Sequence, residues 1–263
     1  MILDDIISHK RREIEELKER FSEKRLIQGI EENLAEHDSR SFAKAIDSTH
    51  GTNIIAEIKK ASPSHGIIRE DFNPLMIAEL YELGGAKALS VLTETKYFLG
   101  RPSYLKTIRK VTKLPILRKD FIIDPYQIYE SVILSADAVL LIALLLREEE
   151  LSNLLDLAKS FNLDVLVEVH SEEDLNKALN AGAEIIGINN RNLTTLETRV
   201  DTAASLLPKI PKGKIVVVES GIEKREEIEY YHSLGVYAFL IGTSLMKSKD
   251  ILSKIKSLRG NND

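Results

Sequence analysis

Glu57 and Lys59 stand two residues apart in the middle of the stretch Ile54-Ile-Ala-Glu-Ile-Lys-Lys-Ala-Ser-Pro-Ser64. The run opens with apolar, β-branched residues, the pattern of a short buried strand. On a strand, residues i and i+2 point to the same face. An acid and an amine on one buried face cost free energy unless they serve each other or a ligand. Pro63 has no N–H for a sheet ladder and serines favour turns, so the strand must stop just past the pair. Lys119 in Leu117-Arg-Lys-Asp-Phe121 and Glu168 in Val165-Leu-Val-Glu-Val169 repeat the theme. Two lysines and two glutamates of this kind fit acid–base chemistry. Partial desolvation or nearby cations would lower a lysine pKa towards neutrality, and an apolar pocket would raise that of a glutamate. A lysine could instead form a Schiff base with a carbonyl substrate, as in an aldolase.

The elements that must position these groups are legible from periodicity. Short apolar runs occur at Ile54–Lys59, Ala88–Thr93, Pro115–Lys119, Ala138–Ala143, Val165–Val169, Ile185–Asn189, Ile215–Ser220 and Ala238–Gly242. Helical patterns separate them, several with start signals: Asn73-Pro74, Arg101-Pro102, Asp124-Pro125 and the capping-box-like Ser171-Glu-Glu-Asp174. Eight strands alternating with helices predict parallel βαβ units closed into an α/β fold, a (β/α)8 TIM barrel. An open doubly wound sheet is the alternative, but no GxGxxG follows the first strand. The expected organisation is one domain, with residues 51–263 as barrel and 1–50 as an N-terminal helical extension. Residues 2–21 read as one amphipathic packing helix. Glu31 to Ser41 reads as a polar connection, and Ser41 as the N-cap of a short helix through Ile46.

In such a barrel the chemistry lies at the C-terminal ends of the strands. Strand 2 ends in Thr93-Glu94, followed by Tyr97-Phe98. Strand 4 ends blandly at Ile142-Ala143. Strand 6 gives Asn189-Asn190-Arg191, strand 7 Glu219-Ser220-Gly221, and strand 8 Gly242-Thr243-Ser244. Polar groups converging from seven of eight ends imply an active site. The small residues after strands 7 and 8 suit a phosphate, because glycine permits close backbone approach while hydroxyl and N–H groups donate. A short helix beginning near Thr243 would aim its N-terminus at that anion.

Composition excludes several classes. The 263 residues are 43% hydrophobic, enough for a substantial core. The absence of cysteine removes disulfides, thiolate nucleophiles and cysteine zinc sites. The six histidines form no HxH or HExxH pair, so no metal site is expected. A net charge of −5 argues against nucleic acid as partner. The longest apolar run, Ala138 to Leu146, falls well short of the roughly 20 residues that span a bilayer. Acidic residues follow Met1, where a signal peptide carries basic ones. The expectation is a cytoplasmic monomer acting on a small molecule, with no membrane partner.

Five ordered stretches carry a resemblance: Ile55-Ala-Glu-Ile-Lys-Lys-Ala-Ser-Pro-Ser64, Pro115-Ile-Leu-Arg-Lys-Asp-Phe-Ile-Ile-Asp124, Leu166-Val-Glu-Val-His170, Ile186-Gly-Ile-Asn-Asn-Arg-Asn-Leu193 and Glu219-Ser-Gly-Ile222. Together they resemble the indole-3-glycerol phosphate synthases, and the similarity runs through the N-terminal extension. The resemblance implies a (β/α)8 barrel of tryptophan biosynthesis. Its reaction converts 1-(2-carboxyphenylamino)-1-deoxyribulose 5-phosphate to indole-3-glycerol phosphate, carbon dioxide and water, with no cofactor or metal. It further implies that Lys119 is the general acid and that Glu57 and Lys59 serve proton transfers of condensation and dehydration. Glu168 and Asn189 would assist charge development at the amine and the hydroxyl. Ser220, counted also with the catalytic set, would bind phosphate with Gly221, Gly242 and Thr243. Ser62 and Arg191 would contact substrate, and Phe98, Phe121 and Leu240 would wall the anthranilate ring. Thr243 replaces a common serine or glutamate, and Leu193-Thr-Thr-Leu196 lacks the usual aspartate and phenylalanine. Neither removes a matched catalytic residue.

Overall fold

The computed structural model describes residues 2–33, 40–193, 195–199 and 201–260. Eight parallel strands close into a barrel: β1 (Asn53–Ile58), β2 (Ala88–Leu92), β3 (Ile116–Lys119), β4 (Ala138–Ile142), β5 (Asp164–Val169), β6 (Ile185–Asn189), β7 (Ile215–Glu219) and β8 (Ala238–Ile241). Each lies within a residue or two of its predicted run. β1 pairs with β2 through Ile55↔Ala88 and with β8 through Asn53↔Ala238, which leaves no free edge.

The side-chain period of two divides every strand between two apolar clusters. Ile54, Ala56 and Ile58 of β1 face outward and pack with the surrounding helices. Ile55 faces inward with Ala88, Leu117, Leu166, Ile185, Val217 and Ala238, filling the barrel. Fully burying an aliphatic side chain of this size contributes about 1.5–3 kcal/mol. Above this layer the inward positions of β1, β3, β5, β6 and β7 turn polar, while Leu92, Leu140, Ile142 and Leu240 stay apolar, and together they build the site.

Helices α4 (Pro74–Leu83), α6 (Pro125–Ile133) and α8 (Glu172–Asn180) begin at the predicted signals. Asn73 Oδ1 accepts from Leu75 N at 3.1 Å, Asp124 Oδ1 from Tyr126 N at 2.9 Å, and Ser171 Oγ from Asp174 N at 3.1 Å. α5 (Ser103–Arg109) follows Pro102 without a side-chain cap. The outer layer is completed by α7 (Glu148–Ser160), α9 (Asp201–Leu206), α10 (Arg225–Ser233), α11 (Thr243–Lys247) and α12 (Ile251–Arg259).

The N-terminal region carries α1 (Ile2–Arg20), α2 (Glu23–Asn33) and α3 (Phe42–Ile46). α2 corrects the expected connection from Glu31 to Ser41, since Glu31–Asn33 are helical; residues 34–39 lie outside the described residues. Its stability comes from tertiary packing on α6, which buries Ile30, and charge-dense sequence hides that contact. α3 starts at Ser41, as predicted, and plugs the N-terminal end of the barrel with the buried Phe42 and Ile46. Asn53 Nδ2 ties it down by donating to Ile46 O and Ser48 O at 3.3 and 2.7 Å.

α1 is more than the packing helix the sequence suggested. Ile2, Leu3 and Ile6 line the cavity at the barrel mouth. Lys10, buried on the same helix, lies 2.9 Å from Asp120 Oδ1 just past β3. Asp120 also accepts from Thr93 Oγ1 at 2.5 Å and pairs with Arg118, whose guanidinium lies on the outer face with Glu130 at 2.6 Å. Burial would raise the Asp120 pKa, but Lys10 and Arg118 hold it at about 2. This network fixes α1 across the mouth beside Lys119. Among the described residues, no helix is long and apolar enough to cross a membrane.

Candidate active site

Lys119 closes β3, and its inward position aims it across the barrel. Its Nζ donates to Glu168 Oε2 on β5 at 2.8 Å and to Glu219 Oε2 on β7 at 3.0 Å. Both carboxylates are almost fully buried, whereas 13% of the Lys119 side chain remains exposed, leaving the ammonium reachable from the cavity. Glu57 at the end of β1 is buried and ion-paired to Lys59, as the spacing of two predicted. Glycines make room for two of these acids. A methyl group at Gly242 would overlap the Glu57 carboxylate, and one at Gly187 would overlap that of Glu219.

Gly187 is opposite Glu168 in the β5–β6 register and Val217 in the β6–β7 register, directly between the two acids. Gly187→Ala should therefore displace the flexible Glu219 head rather than the backbone. We expect a folded protein that loses about 1–3 kcal/mol of stability and at least ~10-fold in kcat, measured by thermal melting and steady-state turnover. An unchanged kcat would contradict a role for Glu219 at its present position.

The remaining predicted residues converge on the same cavity. Ser62, Phe98, Phe121, Asn189, Arg191, Ser220, Gly221, Leu240, Gly242 and Thr243 all line it together with Glu57, Lys59, Lys119 and Glu168. Arg191 Nη1 donates to Ser64 Oγ at 3.2 Å, linking the loop after β6 to the loop after β1. That first loop folds back on itself, with Ala61–Ser62 pairing antiparallel to Gly66–Ile67. Asn189 Oδ1 accepts from Arg191 N at 3.0 Å, leaving its amide NH2 for the cavity it lines. Phe98 and Phe121 meet with ring centroids 6.2 Å apart and form an apolar wall with Leu240. Glu94 shapes the neighbouring loop: its buried carboxylate accepts from the N–H groups of Lys96, Tyr97 and Phe98 at 2.7–3.0 Å and sets the loop that presents Phe98. After β7, Ser220 and Gly221 adopt φ of 65° and 78°, turning the backbone at the cavity edge. α11 starts at Thr243 as expected, and Ser244 Oγ is occupied by Ile222 O at 2.9 Å.

The electrostatics reverse two expectations. Burial alone would lower the Lys119 pKa, but Glu168, Glu219 and Glu57 outweigh it, and the amine is held above its usual range as an ammonium. Burial would raise Glu168, but Lys119 and His170 outweigh it and hold this carboxyl below its usual range. A lysine pKa lowered towards neutrality was expected at this mouth; carboxylates on three sides raise it instead. The raised glutamate is Glu219, pushed up to about 7 by burial and by the neighbouring Glu168 charge, against the pull of Lys119. Glu219 was legible as the end of strand 7 but not singled out, although its parity with Val217 aims it inward.

The folded Glu219 thus binds its proton more tightly than the unfolded residue at 4.5. Its contribution to stability is fully present below pH 4.5 and is lost as pH rises through 7. Glu219→Gln cannot ionise and escapes this loss. We expect the variant to gain on wild type from pH 5 to 8, by on the order of 1–3 kcal/mol, while turnover falls. Thermal melts across that range check it; a gap independent of pH would contradict the assignment.

A (β/α)8 barrel whose mouth sets an ammonium between two buried carboxylates, beside small-residue turns suited to an anion, has the architecture of an enzyme acting on a small substrate. Comparison with known proteins narrows the class. Residues 3–258 match the sequence model of the family described as indole-3-glycerol phosphate synthase. The indole-3-glycerol phosphate synthase of Alkaliphilus metalliredigens is 46% identical over 259 residues, covering 98% of each chain. That of Aliarcobacter butzleri is 48% identical over 261 residues, covering 98% of this chain and 99% of its own. Among solved structures, 3-hexulose-6-phosphate synthase from Salmonella typhimurium superposes with a TM-score of 0.64 at 14% identity, over 79% of this chain and 97% of that one. KGPDC from Streptococcus mutans gives 0.62 at 12% identity, over 80% and 96%. At such identities these two speak for the fold alone. The chain belongs to the indole-3-glycerol phosphate synthase family, and its activity is that family's carboxy-lyase step of tryptophan biosynthesis.

Proposed function

We propose that Lys119 is the acid of ring closure and that Glu168, Glu57 and Lys59 handle the proton transfers that follow, on 1-(2-carboxyphenylamino)-1-deoxyribulose 5-phosphate. The observation that carries this reading is the Lys119 Nζ held by Glu168 and Glu219 at the open end of the barrel. Ring closure joins the ring carbon bearing the carboxylate to the ketone carbon of the sugar. Electron flow from the amine nitrogen through the ring leaves an iminium, and negative charge collects on the ketone oxygen. Lys119 delivers a proton there, and fixed charges in a poorly hydrated mouth lower the barrier without reorganising. Carbon dioxide then leaves and returns its bonding pair to the ring. The new hydroxyl, protonated a second time, departs as water, and loss of a proton from the adjacent carbon completes the indole. Glu168 and Asn189 assist at the amine and the hydroxyl, with the Glu57–Lys59 pair exchanging the remaining protons.

Ser220, Gly221, Gly242 and Thr243 bind the phosphate in this reading, supported by their place on one edge of the cavity. Ser62 and Arg191 contact substrate, and Phe98, Phe121 and Leu240 hold the anthranilate ring. The unit of action is a single barrel domain of residues 51–263 extended by residues 1–50, a cytoplasmic monomer. Residues 1–50 contribute directly through Ile2, Leu3 and Ile6.

A Schiff-base aldolase needs a neutral amine, which the carboxylates around Lys119 disfavour. Borohydride added during turnover separates the two. The acid–base reading predicts an intact mass unchanged by borohydride and continued production of indole-3-glycerol phosphate. A borohydride-stable adduct on Lys119 would overturn it.

A further inference from the structure

His170 follows Glu168 by two residues on the same face of the chain, yet it does not line the cavity. Its side chain is 8% exposed, with Nε2 3.3 Å from Glu168 Oε1 and Nδ1 4.0 Å from Asp174 Oδ2 on α8. Asp174 is itself buried and held, accepting from His170 N at 3.1 Å at the start of its helix. The ring therefore lies between two carboxylates, one of which faces Lys119 with its other oxygen. We propose that His170 is a positioning residue that, as an imidazolium bridging Asp174 and Glu168, fixes the Glu168 carboxylate and keeps it ionised for its part in catalysis. This rests on the assignment of Glu168 to proton transfer.

Three carboxylates facing His170 favour its cation, while the Lys119 ammonium lies on the far oxygen of Glu168. Glu168 lies on its own strand, Asp174 on α8 and Glu219 on β7; together they outweigh burial and raise the imidazole pKa above its ordinary 6.5. A neutral ring can donate from only one nitrogen, leaving a lone pair towards the other carboxylate. The doubly protonated ring places its charge beside both, as ion pairs at 3.3 and 4.0 Å rather than as hydrogen bonds, since neither ring nitrogen nor Glu168 Oε1 has a hydrogen-bond partner among the described residues. Losing that charge would raise the proton affinity of Glu168, because a cation 3.3 Å from a carboxylate oxygen stabilises its ionised form.

The test compares His170→Phe, His170→Gln and Glu168→Gln with wild type in pH profiles of kcat/KM, each variant first checked by circular dichroism. The inference predicts that both His170 variants move the acidic limb upward by roughly one pH unit. It also predicts kcat down about 10-fold with KM within about twofold for His170→Phe. Glutamine, which keeps a donor without the charge, should recover part of kcat but not the shifted limb. A wild-type limb in a folded His170→Gln protein would overturn the inference while leaving Glu168 in place, provided Glu168→Gln is slow. A Glu168→Gln enzyme with wild-type rates would overturn the Glu168 assignment and this inference with it. If His170→Phe fails to fold, the glutamine variant decides.

Discussion

Lys119→Ala should lower kcat/KM by about 10³-fold or more, the combined loss of the proposed acid and of a fixed charge at the developing alkoxide. The same substitution should destabilise the fold. It strips the cation that, among the described residues, is bonded to both Glu168 and Glu219, whose side chains are 1% and 2% exposed. Removing one partner of a buried ion pair costs about 3–5 kcal/mol when the remaining charge stays buried. Protonation of one carboxyl relieves that repulsion, so the stability deficit should shrink as pH falls from 8 to 5. Lys119→Arg separates the two effects. A guanidinium keeps the charge, and with it most of the stability, but it is too weak an acid to deliver the proton. Thermal melts at both pH values and steady-state kinetics check all three statements. Substantial turnover by Lys119→Arg would mean that charge rather than proton donation is what this position supplies.

Glu168→Gln should reduce kcat by about 10²–10³-fold with little change in KM, as follows from the proposed assignment of Glu168 to proton transfer and of the phosphate to the turns after β7 and β8. The carboxamide is nearly isosteric and its oxygen can still accept from Lys119, so packing survives. The pH dependence of stability carries a sign of its own. The folded Glu168 lies below its usual 4.5, so its ionic contribution is present above pH 4.5 and is lost as pH falls through the folded value. Wild type should accordingly exceed the variant in stability at pH 7 by more than at pH 3.5. A constant difference across that range would show that Glu168 gains nothing from Lys119 and His170.

The barrel was legible because β/α alternation leaves a periodic trace, and each strand's polar end was legible because charge interrupts an apolar run. Lys59 and Glu57 pair as their spacing implied. Less visible was everything that depends on what faces a residue across the barrel. Strand parity set Arg118 and Lys119 on opposite faces, but only the closed ring brings Glu168 and Glu219 to the same ammonium and reverses its expected pKa. Glu219 follows Val217 with the right parity, and His170 follows Glu168 likewise, yet neither position states its partner. α2 was hidden because its stabilising contacts lie on α6, and the cavity-lining role of α1 because an amphipathic stripe looks the same over a core as over a cavity. Gly187 and Gly242 resemble ordinary strand glycines until the carboxylates that need their space are in place.

The most direct measurement is the appearance of indole-3-glycerol phosphate fluorescence from 1-(2-carboxyphenylamino)-1-deoxyribulose 5-phosphate, with carbon dioxide quantified in parallel, using purified chain in excess EDTA. The account predicts one carbon dioxide per indole formed at a rate unaffected by the chelator. Well-folded protein that gives no turnover, or turnover abolished by EDTA and restored by a divalent metal, would contradict it.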